Sequence, residues 1–247
     1  MAEYCSLNTR YGIPDQVRFR EGPSGMAVVE VANPHAEATI ALQGAHLIGW
    51  DLRGEESVIW LSPAARFAPG KSIRGGVPIC WPWFGPHPTE PSFPAHGFAR
   101  TTSWGVTAAQ QLPDGATRVT FRLIQSEQTR TLWSYPSDLE LHITVGAALE
   151  MDLITRNTGV QPIVIGDALH TYFEVSDVRD IAIRGLEGCP YIDKVNGGER
   201  KRQTGPMIIA GEVDRIYLGS TGDCAIEDPG LKRRIRISKR GSRSTVV

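Results

Sequence analysis

The sequence predicts an all-β protein, a large antiparallel β-sandwich, on three observations. Apolar and polar residues alternate with period 2 through several segments, turn-forming clusters separate those segments, and helical periodicity is nearly absent. Arg118-Val119-Thr120-Phe121-Arg122-Leu123 puts Val119, Phe121 and Leu123 on one face and polar groups on the other. Residues 139–145 and 149–153 repeat the pattern. Each reads as a half-buried antiparallel strand. Pro113-Asp114-Gly115, Asn157-Thr158-Gly159, Asn196-Gly197-Gly198 and Asp228-Pro229-Gly230 supply the reversals between strands. Only short pieces, such as residues 129–135, are candidates for helix. Lys232-Arg233-Arg234-Ile235-Arg236-Ile237 is basic, but its alternating isoleucines make it an edge or one-sided strand with a solvated cationic face rather than a nucleic-acid patch.

One segment breaks the strand pattern. Residues 63–100 carry eight prolines together with Trp81, Trp83, Phe84, Phe93 and Phe98. Proline removes a ladder donor, so this stretch cannot run through the middle of a sheet. It is expected to be an ordered loop, and long ordered loops in compact domains usually carry function. No repeat, low-complexity tract or shift in composition divides the chain, so residues 1–247 are expected to form a single domain.

With 41% hydrophobic residues, a chain of 247 is long enough to bury a sizeable core. Its 26 basic and 27 acidic residues leave a net charge of −1, so no global field gathers nucleic acid or an anionic membrane surface, and neither is expected as a partner. An anionic ligand has to be held by a local cluster. Cys5, Cys80, Cys189 and Cys224 have no CxxC or Cys/His spacing, which argues against zinc and against a disulfide framework, and for free thiols in a reducing cytosol. Residues 1–5 lack the basic-then-apolar pattern of a leader, and no apolar run is long enough to cross a bilayer. The expected location is cytoplasmic.

Four segments carry candidate chemistry. Lys71-Ser72-Ile73-Arg74-Gly75-Gly76-Val77-Pro78 sets two cations beside two glycines. Glycine lets the backbone approach a ligand and arginine offers a planar fork for phosphate, although surface cations beside a tight turn look the same. In Ala95-His96-Gly97-Phe98-Ala99-Arg100, His96 and Arg100 either meet a polar ligand or satisfy local backbone groups. If residues 166–174 form a strand, His170, Tyr172 and Glu174 share one face, as a functional cluster or as an exposed face with a satisfied histidine. Asp214, in Glu212-Val213-Asp214-Arg215-Ile216-Tyr217, is placed to accept hydrogen bonds from hydroxyls or to cap a turn.

Together these segments resemble the glucose-6-phosphate 1-epimerase (hexose-6-phosphate mutarotase) branch of the aldose 1-epimerase family. The resemblance extends over nearly the whole chain. Besides the four segments it rests on Gly44-Ala45-His46, Trp60-Leu61-Ser62 and Trp81-Pro82-Trp83-Phe84-Gly85. It implies a galactose-mutarotase-like supersandwich with no metal and no organic cofactor; the expected partner is a small-molecule sugar phosphate and the expected state a monomer. It places the general acid on His170 and substrate binding on Arg74, Arg100 and Asp214, with His96 beside the sugar; Lys71 is a further candidate anchor for the phosphate. Ala95 stands where relatives commonly carry glutamine. Relatives also continue beyond Ser244-Thr245-Val246-Val247 into a Trp-Asn-Pro-Trp segment and a strand bearing a catalytic glutamate. The C-terminal strands are therefore expected to be missing, the natural protein to run on for a few tens of residues, and a protein of these residues alone to be poorly active and poorly soluble.

A hexose mutarotase needs a proton delivered to the ring oxygen and another taken from the anomeric hydroxyl. Histidine, with an ordinary pKa of about 6.5, suits the first step. Two rivals share parts of this pattern. A non-catalytic sugar-phosphate binder would use the same fold. A glycoside hydrolase would need two carboxylates flanking the bond, whereas the matched segments offer a histidine, arginines and a single aspartate.

Overall fold

The computed structural model describes residues 2–247; Met1, the first residue of the stretch read for a leader, lies outside them. The chain divides into two units, Met1–Glu174 and Val175–Val247. Among the described residues there are eighteen strands and only two α-helices, of 10 and 6 residues. The all-β antiparallel architecture is thus the one the alternation predicts.

The first unit begins with helix α1 (Ala2–Tyr11) and then two meanders. Strands β1 (Val17–Glu21), β2 (Ala27–Ala32), β3 (Ala36–Ala41) and β4 (His46–Leu52) form one four-stranded antiparallel sheet. After β5 (Ile79–Cys80), strands β6 (Trp104–Gln111), β7 (Thr117–Leu123), β8 (Ser137–Val145) and β9 (Leu149–Asn157) form the second, with helix α2 (Glu127–Leu132) between β7 and β8. β10 (Ala168–Leu169) pairs with β5. The period-2 residues are the buried ones: Val119 faces Ile143 and Phe121 faces Leu141 across the β7–β8 ladder, and all four are fully buried. Phe19, Val29, Val31 and Ile40 supply the matching buried face of the first sheet. Burying each such side chain stabilises the fold by about 1.5–3 kcal/mol. Asn33, in the β2–β3 turn, ties the sheets together. Its buried amide donates to Thr117 Oγ1 (3.2 Å) and to the Val145 carbonyl (2.8 Å).

The second unit holds β11 (Ala182–Arg184), β12 (Pro190–Asp193), β13 (Glu199–Arg202), β14 (Met207–Ile208), β15 (Arg215–Leu218), β16 (Cys224–Asp228), β17 (Arg233–Ile237) and β18 (Ser244–Val246). They form two antiparallel sheets, in the orders β14-β11-β16-β17 and β13-β12-β15-β18. Ile183, Leu186, Met207, Tyr217 and Ile226 are buried in this unit. The basic stretch is the edge strand β17, with Arg234 and Arg236 exposed and Ile235 and Ile237 half-buried. The turn clusters sit at strand ends as expected, with Gly115, Gly197 and Gly198 at positive φ.

Both helices depart from the reading of the sequence. The short helix expected at residues 129–135 is α2, which starts earlier because Ser126 and Thr129 form a reciprocal capping box. α1 was not foreseen. Its half-buried residues Tyr4, Leu7, Asn8 and Tyr11 keep helical spacing, and Asn8 bonds both the N–H and the carbonyl of Phe19 in β1, acting as a strand neighbour. The contact that fixes this helix is therefore tertiary. No helix among the described residues is long and apolar enough to cross a membrane.

Candidate active site

Around Gly76–Pro78 the proline-rich segment is hydrogen-bonded to neighbours on both sides. Val77 N–H donates to Leu47 O (2.8 Å) and Gly76 N–H to Trp60 O (2.8 Å). On the other side the 168–174 segment runs antiparallel to it. His170 N–H reaches Pro78 O (3.0 Å), Tyr172 N–H reaches Gly76 O (2.9 Å), and Glu174 N–H reaches Val58 O (2.9 Å). Only Ala168 and Leu169 are in a regular ladder, but this every-other-residue bonding keeps the extended geometry that puts His170 and Tyr172 on one face.

Residues 96 and 97 turn sharply around the Trp81 carbonyl. His96 and Gly97 both have positive φ, at 66° and 69°. Phe98 N–H donates to Trp81 O (3.1 Å), and a Cβ on residue 97 would collide with that oxygen, so glycine is obligatory there. His96 is pinned twice to Gly85. Its N–H donates to Gly85 O (2.7 Å), and its Nδ1 accepts the Gly85 N–H (3.2 Å). An accepting Nδ1 leaves the proton of the neutral ring on Nε2. Below the turn, Trp81 is buried against Phe98 and Trp133 and donates to Thr155 Oγ1 (3.0 Å).

This backbone brings His96 and His170 to a ring separation of 5.9 Å, at 81° to each other. Tyr172 stacks on His170 at 5.0 Å and 19°, and Phe84 lies 4.8 Å from His96 and 6.2 Å from His170. Arg100 anchors the loop through Nη2 to Ala95 O (2.8 Å), and its charge acts on His170. Burial lowers the His170 pKa, its backbone hydrogen bond opposes this, and Arg100 lowers it further. The neutral imidazole is thereby favoured before a ligand arrives.

Lys71 and Arg74 lie on the exposed loop that leads into Gly75 and Gly76. Gln43 braces that loop: its amide donates to Lys71 O (2.9 Å) and Ala68 O (3.4 Å) and accepts the Gly70 N–H (2.8 Å). His46, fully buried, supports the glycine pair through Nε2 to Gly75 O (2.8 Å). Asp214 belongs to the second unit, just before β15. Its carboxylate lies 3.2 Å from Lys194 Nζ and its carbonyl accepts the Lys194 N–H. Phe84 and His46 were not singled out as site residues from sequence. Both stand inside quoted motifs, yet nothing local reveals that one touches two imidazoles and the other props the glycine turn.

Comparison with known proteins identifies the family. The aldose 1-epimerase family model matches residues 27–247. A protein of Escherichia coli K12 named "Putative glucose-6-phosphate 1-epimerase" is 40% identical over 211 residues, 85% of this chain and 69% of that one. A Salmonella typhimurium protein of the same name is 38% identical over the same shares. The crystal structure of a Salmonella typhimurium "putative mutarotase" superposes with a TM-score of 0.88 at 34% identity, covering 96% of this chain and 78% of that one. With the site's motifs, the fold and the family model in agreement, the chain belongs to the aldose 1-epimerase family and is an isomerase of the hexose mutarotase type.

Proposed function

We propose that this mutarotase interconverts the α and β anomers of a hexose 6-phosphate, with glucose 6-phosphate the first candidate, using His170 as the acid–base group at the ring oxygen. The observation that carries the reading is the half-buried His170 imidazole, held by stacking beside His96 and within the field of Arg100. As C1–O5 breaks, His170 gives its proton to O5 while a base takes the proton of the anomeric hydroxyl, leaving the open-chain aldehyde. Rotation about C1–C2 and the reverse transfers close the ring on the other face. The chemistry moves protons only. A lowered pKa makes the protonated His170 a stronger acid, and general acid–base groups contribute about 10²–10⁴-fold.

Two facts support the phosphate. Lys71 and Arg74 are exposed cations on an internally braced loop, and the similar proteins from Escherichia coli and Salmonella typhimurium are named for glucose 6-phosphate. In this reading Lys71, Arg74 and Arg100 hold the phosphate, His96 Nε2–H binds a sugar hydroxyl, and the anchored sugar needs only orientation at its reacting end. Two-dimensional exchange NMR of glucose 6-phosphate, under conditions where spontaneous interconversion is slow, tests the proposal. Catalysed exchange that is faster for the 6-phosphate than for glucose supports it. Equal rates for both sugars refute the phosphate, and binding without exchange selects the non-catalytic binder.

A further inference from the structure

We propose that Tyr172 is a positioning residue, whose ring fixes the plane of the His170 imidazole and stabilises its protonated form. The inference rests on the reading of His170 as the acid. Of the aromatic contacts in the cluster, the Tyr172–His170 pair is the flattest, with ring planes 19° apart and centroids 5.0 Å apart. Phe84 and His96 meet His170 at 40° and 81° and at longer distance. Tyr172 is itself held from two sides, by its backbone bonds to Gly76 and Trp60 and by the Trp60 ring at 5.9 Å.

The electrostatic consequence follows from the ring quadrupole. A cation over the face of a tyrosine within about 6 Å is attracted to it. The charged and titratable groups that act on or touch His170 include Arg100, from the turn after Phe98, His96, from the loop beside it, and Tyr172 itself. Burial and Arg100 both disfavour the imidazolium, and a backbone hydrogen bond of His170 opposes them. Tyr172, nearer and flatter to the imidazole than Phe84, presents the π face that favours the imidazolium. Its π face adds to the backbone hydrogen bond that already favours the protonated ring.

The test pairs His170 titration, followed by NMR of isotope-labelled histidine, with exchange kinetics in the full chain. Tyr172→Leu is expected to lower the pH at which His170 titrates and to cut kcat at neutral pH about three- to tenfold, with KM within about twofold, the scale of an exposed cation–π contact. Tyr172→Phe, which keeps the ring and removes the hydroxyl, restores both readouts. A ring-fluorinated phenylalanine at 172 keeps the shape and weakens the π face, so it moves the titration in the same direction as leucine even if Tyr172→Leu folds poorly. An unmoved His170 titration in the leucine and fluorinated proteins overturns the proposal, as does Tyr172→Phe matching Tyr172→Leu. Full turnover in His170→Asn overturns the acid assignment separately, whatever the titration shows.

Discussion

His46 makes folding pH-dependent in a window set by one ring. It is fully buried, its Nε2–H donates to Gly75 O, and its Nδ1 is buried with no hydrogen-bond partner. Protonation would put an N–H on Nδ1 with no acceptor. Burial is the main cause that lowers the His46 pKa to about 4; the Gly75 bond opposes it and the charge of Arg100 adds to it. In the unfolded chain the same ring titrates at about 6.5. Between these values the unfolded state binds the extra proton, so stability rises with pH; the contribution is complete above about pH 6.5 and lost as pH falls toward 4. A shift of this size corresponds to roughly 2–3 kcal/mol between pH 7.5 and 4.5, at about 1.4 kcal/mol per unit at the steepest. Urea denaturation of the wild type and of His46→Gln across that range isolates the ring, because the other titrating groups are common to both. The wild type should lose about 2–3 kcal/mol more than the variant. Parallel pH profiles would show that His46 is charged in the fold or solvated, and the argument from its unpartnered Nδ1 would fail.

Three further outcomes are expected. Asn33→Ala should cost about 2–4 kcal/mol in urea denaturation, because it strands the buried Val145 carbonyl and the His35 and Ala36 N–H groups that Asn33 Oδ1 accepts; a loss under about 0.5 kcal/mol would contradict this. His170→Asn should keep the thermal midpoint near that of wild type and lower exchange by about 10²–10⁴-fold, and undiminished turnover would refute the assignment. Arg74→Ala should weaken binding of hexose 6-phosphate by about 1.5–3 kcal/mol in calorimetry and leave the unphosphorylated sugar nearly unaffected, whereas equal losses would show that Arg74 does not read phosphate.

What could be read from sequence was what is local. The β7 and β8 faces were legible because Val119, Phe121, Leu141 and Ile143 alternate along the chain in the same way that they pair across the ladder. The shared face of His170 and Tyr172 was legible for the same reason, since an extended backbone puts i and i+2 together. α1 was illegible because its ten residues carry no strong helix signal; Asn8 and the backbone of Phe19 fix it from outside the segment. The approach of His96 to His170 was equally hidden. It depends on a non-glycine residue in the left-handed region, held there by Gly85 and by the turn around Trp81, and no local pattern announces such a backbone.

The three hydrogen bonds that Gln43 makes to the 68–71 backbone divide free energy between folding and association. A loop already ordered from within surrenders little backbone freedom when an anion arrives, so the conformational entropy that a floppy loop would lose on binding has been lost during folding instead. Cutting the brace, as in Gln43→Ala, would return that freedom to the unliganded protein. The cations and their reach would be unchanged. Anion affinity would nevertheless fall, and calorimetry would locate the loss in the entropy of association rather than in its heat. If Lys71 and Arg74 hold the phosphate as proposed, part of the affinity at that end rests on a neutral amide that has no need to touch the ligand.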